Sequence, residues 1–218
     1  MDLRIQDIVT LLNVPEKKVK KWIKDNTIPF HIINHEYRFN ITKLEEWVLE
    51  NRLPVTQQFL ELVSTGIPLK LSQLITQGGI LYDVPGVTMK DALTSCVALM
   101  NQPDTMPKDV LLSSLLEREE LLPTAVGAGI AIPHPRNPLI TDIAHEQVTL
   151  AYLNQPLECP TPDNVPIHVL FIVLSANHRR HLEILSRLAF FCQDHTFLQM
   201  LLGHLHDEAI LALIKEHE

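Results

Sequence analysis

The chain has 218 residues, 46% of them hydrophobic, enough apolar mass for one large core or two smaller ones. Its three widely spaced cysteines (Cys96, Cys159, Cys192) offer neither a disulfide framework nor a metal-binding pair. No apolar run of 18 residues occurs, and the charged start M-D-L-R-I-Q-D lacks the apolar stretch of a signal peptide, so a soluble, cytoplasmic protein without membrane insertion is expected. The net charge of −8 is uneven: residues 1–55 hold nine Lys/Arg against eight Asp/Glu and the remainder nine against eighteen, which predicts two domains with different partners.

Ile5, Ile8, Val9 and Leu12 recur at helical spacing and predict a short helix over residues 3–12. Pro15 suits the first position of a second helix, running to about Asp25. Its inner face is Val19, Trp22 and Ile23, and Lys17, Lys18, Lys20, Lys21 and Lys24 cover the rest. The run I-P-F-H-I-I-N-H-E-Y-R-F-N reads as a hairpin turning near Asn34-His35. Thr42, with Glu45 three residues later, forms a capping box for a helix to about Asn51.

Three pieces of this region carry a resemblance: V-T-L-L-N-V, then K-V-K-K-W-I followed by N-T-I-P, then Y-R-F before L-E-E-W. Together residues 1–53 resemble the excisionase-like and MerR-like winged helix-turn-helix module. The resemblance implies DNA binding, with the second helix in the major groove and the wing on the backbone, and it admits a homodimer. Lys17, Lys20, Lys21, Lys24 and Arg38 are then the nucleic-acid contacts. The wing departs from the family pattern, with Asn34, His35 and Glu36 where glycines and basic residues are usual. A solvated lysine face on a domain used for protein contacts therefore stands as the alternative.

Residues 54–68 read as a linker with a short helical piece, F-L-E-L-V, inside it. From Leu69 to Glu218 the pattern becomes α/β. A helical turn L-S-Q-L-I precedes a strand in G-G-I-L-Y-D-V; Thr88 caps a helix through Ala92, Leu93, Cys96 and Val97. Pro107-Lys108 opens another helix, with Val110, Leu111, Ser114 and Leu115 inward and Arg118 at its end. Short strands follow at Thr124–Val126 and Ile130–Ile132, then longer ones at Val148–Leu153 and Val165–Leu174. The last is nearly all apolar and therefore central. Asn177 or Ser175 caps the next helix, and two shorter helices end the chain. The fold class expected is α/β, a mixed central sheet flanked by helices, beside a small N-terminal winged helix-turn-helix domain.

The chemistry concentrates in E-R-E-E-L-L-P-T-A-V-G-A-G-I-A-I-P-H-P-R, residues 117–136. Pro133 and Pro135 stiffen the backbone around His134. Gly127 and Gly129 bring bare main-chain amides, and Arg118 and Arg136 supply forked donors suited to phosphate. A stiffly held imidazole among such donors suggests phosphoryl chemistry. The run also resembles enzyme IIA of the fructose/mannitol/nitrogen class of the bacterial phosphotransferase system. G-G-I-L-Y, I-H-V-L-F-I-V-L and N-H-R-R-H-L-E-I-L-S-R-L-A extend that resemblance over residues 69–218.

The resemblance implies a phosphocarrier of the nitrogen-regulatory type. His134 would accept a phosphoryl group from HPr or its nitrogen-branch paralogue, with Arg118 and His181 as its helpers and no cofactor or metal. His181, read as lying in the first turn of its helix, would sit where amides and dipole favour an anion. Pro135 replaces the glycine that commonly follows the histidine, and Ala128 stands where relatives carry Asn or Glu. Regulation, with DNA as a place of output, is the leading expectation. The alternatives are a transport enzyme passing phosphate from His134 to an enzyme IIB, and a DNA-binding regulator whose IIA domain only senses or dimerises.

Overall fold

The computed structural model describes residues 2–33, 36–51, 53–63, 68–103, 106–203 and 207–218. The N-terminal module begins with a two-residue strand the periodicity does not reveal, β1 (Asp2–Leu3), before helices α1 (Ile5–Leu11) and α2 (Glu16–Lys24). Pro15 is the N-cap of α2, one position earlier than expected, because its ψ of 145° is extended while its φ of −67° suits helix entry. Strands β2 (His31–Ile33) and β3 (Glu36–Asn40) pair antiparallel, and β1 pairs on the other side of β3. The expected turn at Asn34-His35 lies outside the described residues.

Helix α3 (Ile41–Glu50) starts directly from β3. At its start Asn40 Oδ1 accepts the Lys43 amide; the expected cap at Thr42 rests on a side chain outside the described residues. Glu45 is buried. The core of this module holds Leu3, Ile8, Leu12, Val19, Ile28, Phe39, Leu44 and Val48. Val55, Phe59 and Leu60 join it from the following segment, where helix α4 (Gln57–Val63) forms. Burying those side chains ties α4 to the module.

Helix α5 (Leu71–Gly78) then leads into the second part: β4 (Ile80–Val84), α6 (Met89–Leu99), α7 (Lys108–Leu121), β5 (Ala125–Gly127) and β6 (Ile130–Ala131). Next come β7 (Gln147–Leu157), β8 (Ile167–Leu174), α8 (His178–Phe191), α9 (His195–Leu202) and α10 (Asp207–Glu216). A capping box of Thr88 with Asp91 starts α6 as its sequence predicts. The five strands order as β4-β7-β8-β6-β5, with β4·β7 and β6·β8 parallel and β7·β8 and β5·β6 antiparallel.

The apolar strand β8 is central for a physical reason. Val169, Phe171 and Val173 face one core with α5, α8, α9 and α10, while Leu170, Ile172 and Leu174 face the other with α6 and α7. A strand covered on both faces has no polar side to show. On α7, Leu111 and Leu115 fill the inner stripe; Val110, expected inward, is 42% exposed because it lies about 100° around the helix from Leu111.

The two modules meet along α8, which packs against both α3 and α4. Leu49 packs into the core of the second module, and Phe190 packs against both cores. Glu45 is 3% exposed at this contact, and burial, then the charge of Glu183, push its pKa from 4.5 up to about 8. An acid with a raised folded-state pKa binds its proton more tightly when folded. Its stabilising contribution is complete below about 4.5 and is lost as the pH rises through about 8. The stability difference between wild type and Glu45→Gln is therefore expected to shift against the wild type between those limits, as measured by thermal melts in a pH series. Parallel profiles for the two proteins would contradict this.

Candidate functional site

Strand β6 runs on into Ile132-Pro133-His134, and this extension is held at both flanks. The Val173 amide donates to the Pro133 carbonyl (3.0 Å) and the Ile132 amide to the Thr124 carbonyl (3.1 Å). Proline rigidity before and after His134 thus adds to real sheet-like pairing. The ring is buried, 9% exposed.

Arg118, in the last turn of α7, donates from Nε to His134 Nε2 (3.1 Å) and from Nη1 to the Leu122 carbonyl (2.6 Å). Glu119 fastens the same turn to the next strand by accepting from the amide and hydroxyl of Thr124, at 3.0 and 2.6 Å. A guanidinium N–H can only donate, so Nε2 is the acceptor atom of a neutral imidazole and Nδ1 carries the hydrogen. That hydrogen is donated to the Ile132 carbonyl at 2.7 Å. The lone pair of His134 therefore sits on Nε2, beside Arg118.

His181 lies against His134, with ring centroids 4.8 Å apart, and its Nδ1 is 3.1 Å from Ser175 Oγ. Asn177 is the cap of α8, accepting the Arg180 amide on its side chain. His181 follows three helical residues, and its own amide donates to the Asn177 carbonyl. It is therefore not among the open amides of the first turn, as expected from sequence; the imidazole is the part of His181 that can reach an anion. Burial, followed by the Arg118 charge, holds the His134 pKa down at about 4. For His181, burial and then the neighbouring His134, His178 and Arg118 lower it to about 3. Both rings are neutral at pH 7.

The start of α8 is fixed by a buried pair that sequence reasoning missed. Glu146 accepts from Arg180 Nε (2.9 Å) and Nη2 (2.7 Å) and from the Ala176 amide (3.0 Å). The two residues are 34 positions apart, and nothing local announces the pairing.

The glycines shape the turn that precedes the His134 strand. Gly127, Ala128 and Gly129 all have positive φ, at 100°, 51° and 75°, and make the tight turn between β5 and β6. The Ala128 amide donates to Asp163 Oδ2 (2.6 Å), and a Cβ at Gly129 would approach His168 at 3.1 Å. The Ala128 amide is thereby engaged by Asp163 and not open to an anion.

His134, Arg118, His181, His178 and the exposed Arg136 line one cleft of about 660 Å³. Leu121, Leu122, Val126, Leu182 and Leu185 are among its apolar lining, and Glu46, Glu50, Leu53 and Pro54 of the N-terminal module line it as well. The three residues predicted for catalysis are thus together. The predicted nucleic-acid contacts are elsewhere: Lys17, Lys20, Lys21 and Lys24 are exposed on α2, where Lys20 pairs with Glu16. Arg38, on β3, pairs with Glu36, so this wing cation is already partly neutralised. No described helix is long and apolar enough to cross a membrane.

Residues 73–217 match the family model described as phosphoenolpyruvate-dependent sugar phosphotransferase system, EIIA 2, and residues 3–52 match a helix-turn-helix domain model. The chain is 30% identical over 124 residues to a nitrogen regulatory protein of Pseudomonas aeruginosa, covering 56% of this chain and 79% of that one. A nitrogen regulatory protein of Escherichia coli is 28% identical over 152 residues, covering 69% and 92%. Among solved structures, the nitrogen regulatory protein IIA-Ntr of Neisseria meningitidis superposes with a TM-score of 0.53 at 26% identity, covering 66% of this chain and 97% of that one.

Proposed function

Because the chain belongs to the EIIA 2 family of the phosphoenolpyruvate-dependent sugar phosphotransferase system and carries an N-terminal helix-turn-helix domain, we propose that it is a regulatory phosphocarrier. His134 receives a phosphoryl group from a phosphohistidine on HPr or its nitrogen-branch paralogue. The observation that carries this reading is the locked tautomer of His134, with its lone pair on Nε2 in a cleft that also holds two guanidinium groups.

In the transfer step the Nε2 lone pair attacks phosphorus as the donor's N–P bond breaks in line, and that bond's electron pair returns to the donor imidazole. The His134 ring gains positive charge as the Nε2–P bond forms. The Ile132 carbonyl, accepting the Nδ1 hydrogen, stabilises that charge. Arg118 must leave Nε2 as phosphorus arrives, and its fork then serves the equatorial oxygens. In the tautomer where Ser175 donates to Nδ1, His181 carries a hydrogen on Nε2 to offer those oxygens as well. Lying within the cleft as a neutral base, His134 needs no proton removed before it reacts.

The relatives named nitrogen regulatory proteins, together with the helix-turn-helix domain, support regulation as the output, at DNA. Four phosphate contacts from Lys17, Lys20, Lys21 and Lys24 would give log K against log salt a slope of about −3 to −4. Binding to duplex DNA across a salt series measures that slope, and a flat response counts against DNA. A relay assay separates the readings further. The regulatory reading predicts that phospho-His134 keeps its phosphoryl group when enzyme IIB is added; discharge onto a IIB cysteine would favour transport.

A further inference from the structure

The His134 cleft is lined in part by the chain's own N-terminal module. Glu46 and Glu50 of α3, followed by Leu53 and Pro54, share the cleft with Arg118, His134 and His181. Leu49 and Phe190 knit the modules together beside it. A histidine on a donor protein has to bring phosphorus to within about 3–3.5 Å of Nε2. A protein partner also covers on the order of 800 Å² around such a point. His134 is nine-tenths buried, and the space before it is a cleft of 660 Å³, so a folded donor finds the module on the ground it needs.

Electrostatics adds a second, independent reason. Glu46 and Glu50 line the same cleft as the two guanidinium groups, and charges sharing a partly enclosed cleft are screened less than charges across open solvent. In the unphosphorylated chain Glu46 and Glu50 face a cleft containing Arg118 and Arg136. A phosphoryl group brings close to two negative charges and takes those guanidinium groups for its own oxygens. The acidic helix then faces an anion where it faced cations.

Resting on the reading of His134 as phosphoacceptor, we propose that the surface around His134 is a shared docking surface. The N-terminal module covers it in the unphosphorylated chain, the phosphoryl donor displaces the module, and the phosphoryl group then keeps α3 off. Phosphorylation thereby frees the helix-turn-helix domain from α8.

Cys192 is a native reporter of this movement. It lines the same cleft and is only partly accessible, and burial pushes its thiol up to about 12, so it should label slowly at rest. Cys96 is fully buried, and Cys159→Ser removes the other accessible thiol. The full chain carrying that change is treated with phosphoenolpyruvate, enzyme I and HPr, then with a neutral maleimide, and both modifications are followed by mass.

The phosphorylated chain is expected to label at Cys192 about tenfold faster, a factor corresponding to about 1.4 kcal/mol. His134→Ala in the same mixture, with HPr in catalytic amount so that docking alone is brief, should label close to the resting rate. Leu49→Glu, which loosens the contact without any donor, should label fast and also accept phosphoryl groups faster. A chain shown by mass to be phosphorylated but labelling at the resting rate overturns the proposal and leaves the phosphocarrier reading standing. So does a Leu49→Glu chain unchanged in both rates. A chain that gains no phosphoryl group overturns both.

Discussion

Arg118→Ala is expected to slow phosphoryl transfer onto His134 by about 10²–10³-fold, the usual cost of losing one well-placed donor to a transition-state anion. The side chain sits at Nε2 before the reaction, so it needs only a small shift to meet the incoming oxygens. Arg118→Lys keeps the charge but loses the planar fork and the bond to Leu122, and should recover only part of the rate. The same change alters titration. The Arg118 charge is the second cause, after burial, of the low His134 pKa, so its removal should move that value from about 4 towards 6.5. Proton NMR of the His134 ring in a pH series measures this. An Arg118→Ala chain with unchanged transfer rate and unchanged titration would show that the contact at Nε2 is only structural.

Stability carries the matching sign. Unfolded histidines take up protons near 6.5, whereas His134 and His181 in the folded chain do so only near 4 and 3. Their contribution therefore falls away as the pH drops from about 6.5 to about 3. This is opposite to the Glu45 contribution, which disappears as the pH rises, so the two can be separated by variant.

Glu146→Ala is the second large effect, and it falls on stability. Arg180 is 4% exposed, and removing Glu146 takes away its two-point partner and the acceptor of the Ala176 amide, leaving Arg180 the longer 3.5 Å pair with Glu183. Breaking one partner of such a buried pair costs about 3–5 kcal/mol. For a protein of this size that lowers the melting temperature by on the order of 10 °C. Because Glu146 sets the entry of α8, His181 and its contact with Ser175 should loosen, and transfer to His134 should slow as well. A melt within 2 °C of wild type would place the weight of this corner elsewhere.

The sequence shows the parts of this molecule whose causes are local. Strand β8 is legible because I-H-V-L-F-I-V-L has no polar side, which only a doubly covered strand tolerates. His134 is legible because prolines on both sides stiffen it, and Arg118 because the family run carries it at a helix end. The less legible features depend on partners far along the chain. Asp163 claims the Ala128 amide from 35 residues away and braces the glycine turn. Glu146 reaches Arg180 over a similar distance. Likewise, the burial of Glu45 comes from α3 packing against α8, which no local spacing announces. The cleft itself depends on two modules meeting, and no spacing within either one announces that.

The central claim is that His134 takes a phosphoryl group at Nε2. The direct measurement is intact and peptide mass analysis after incubation with phosphoenolpyruvate, enzyme I and HPr. The wild-type chain is expected to gain about 80 Da, one phosphoryl group, on the peptide bearing His134, and His134→Ala to gain nothing. A wild-type chain with no gain, or an equal gain in His134→Ala, would contradict it.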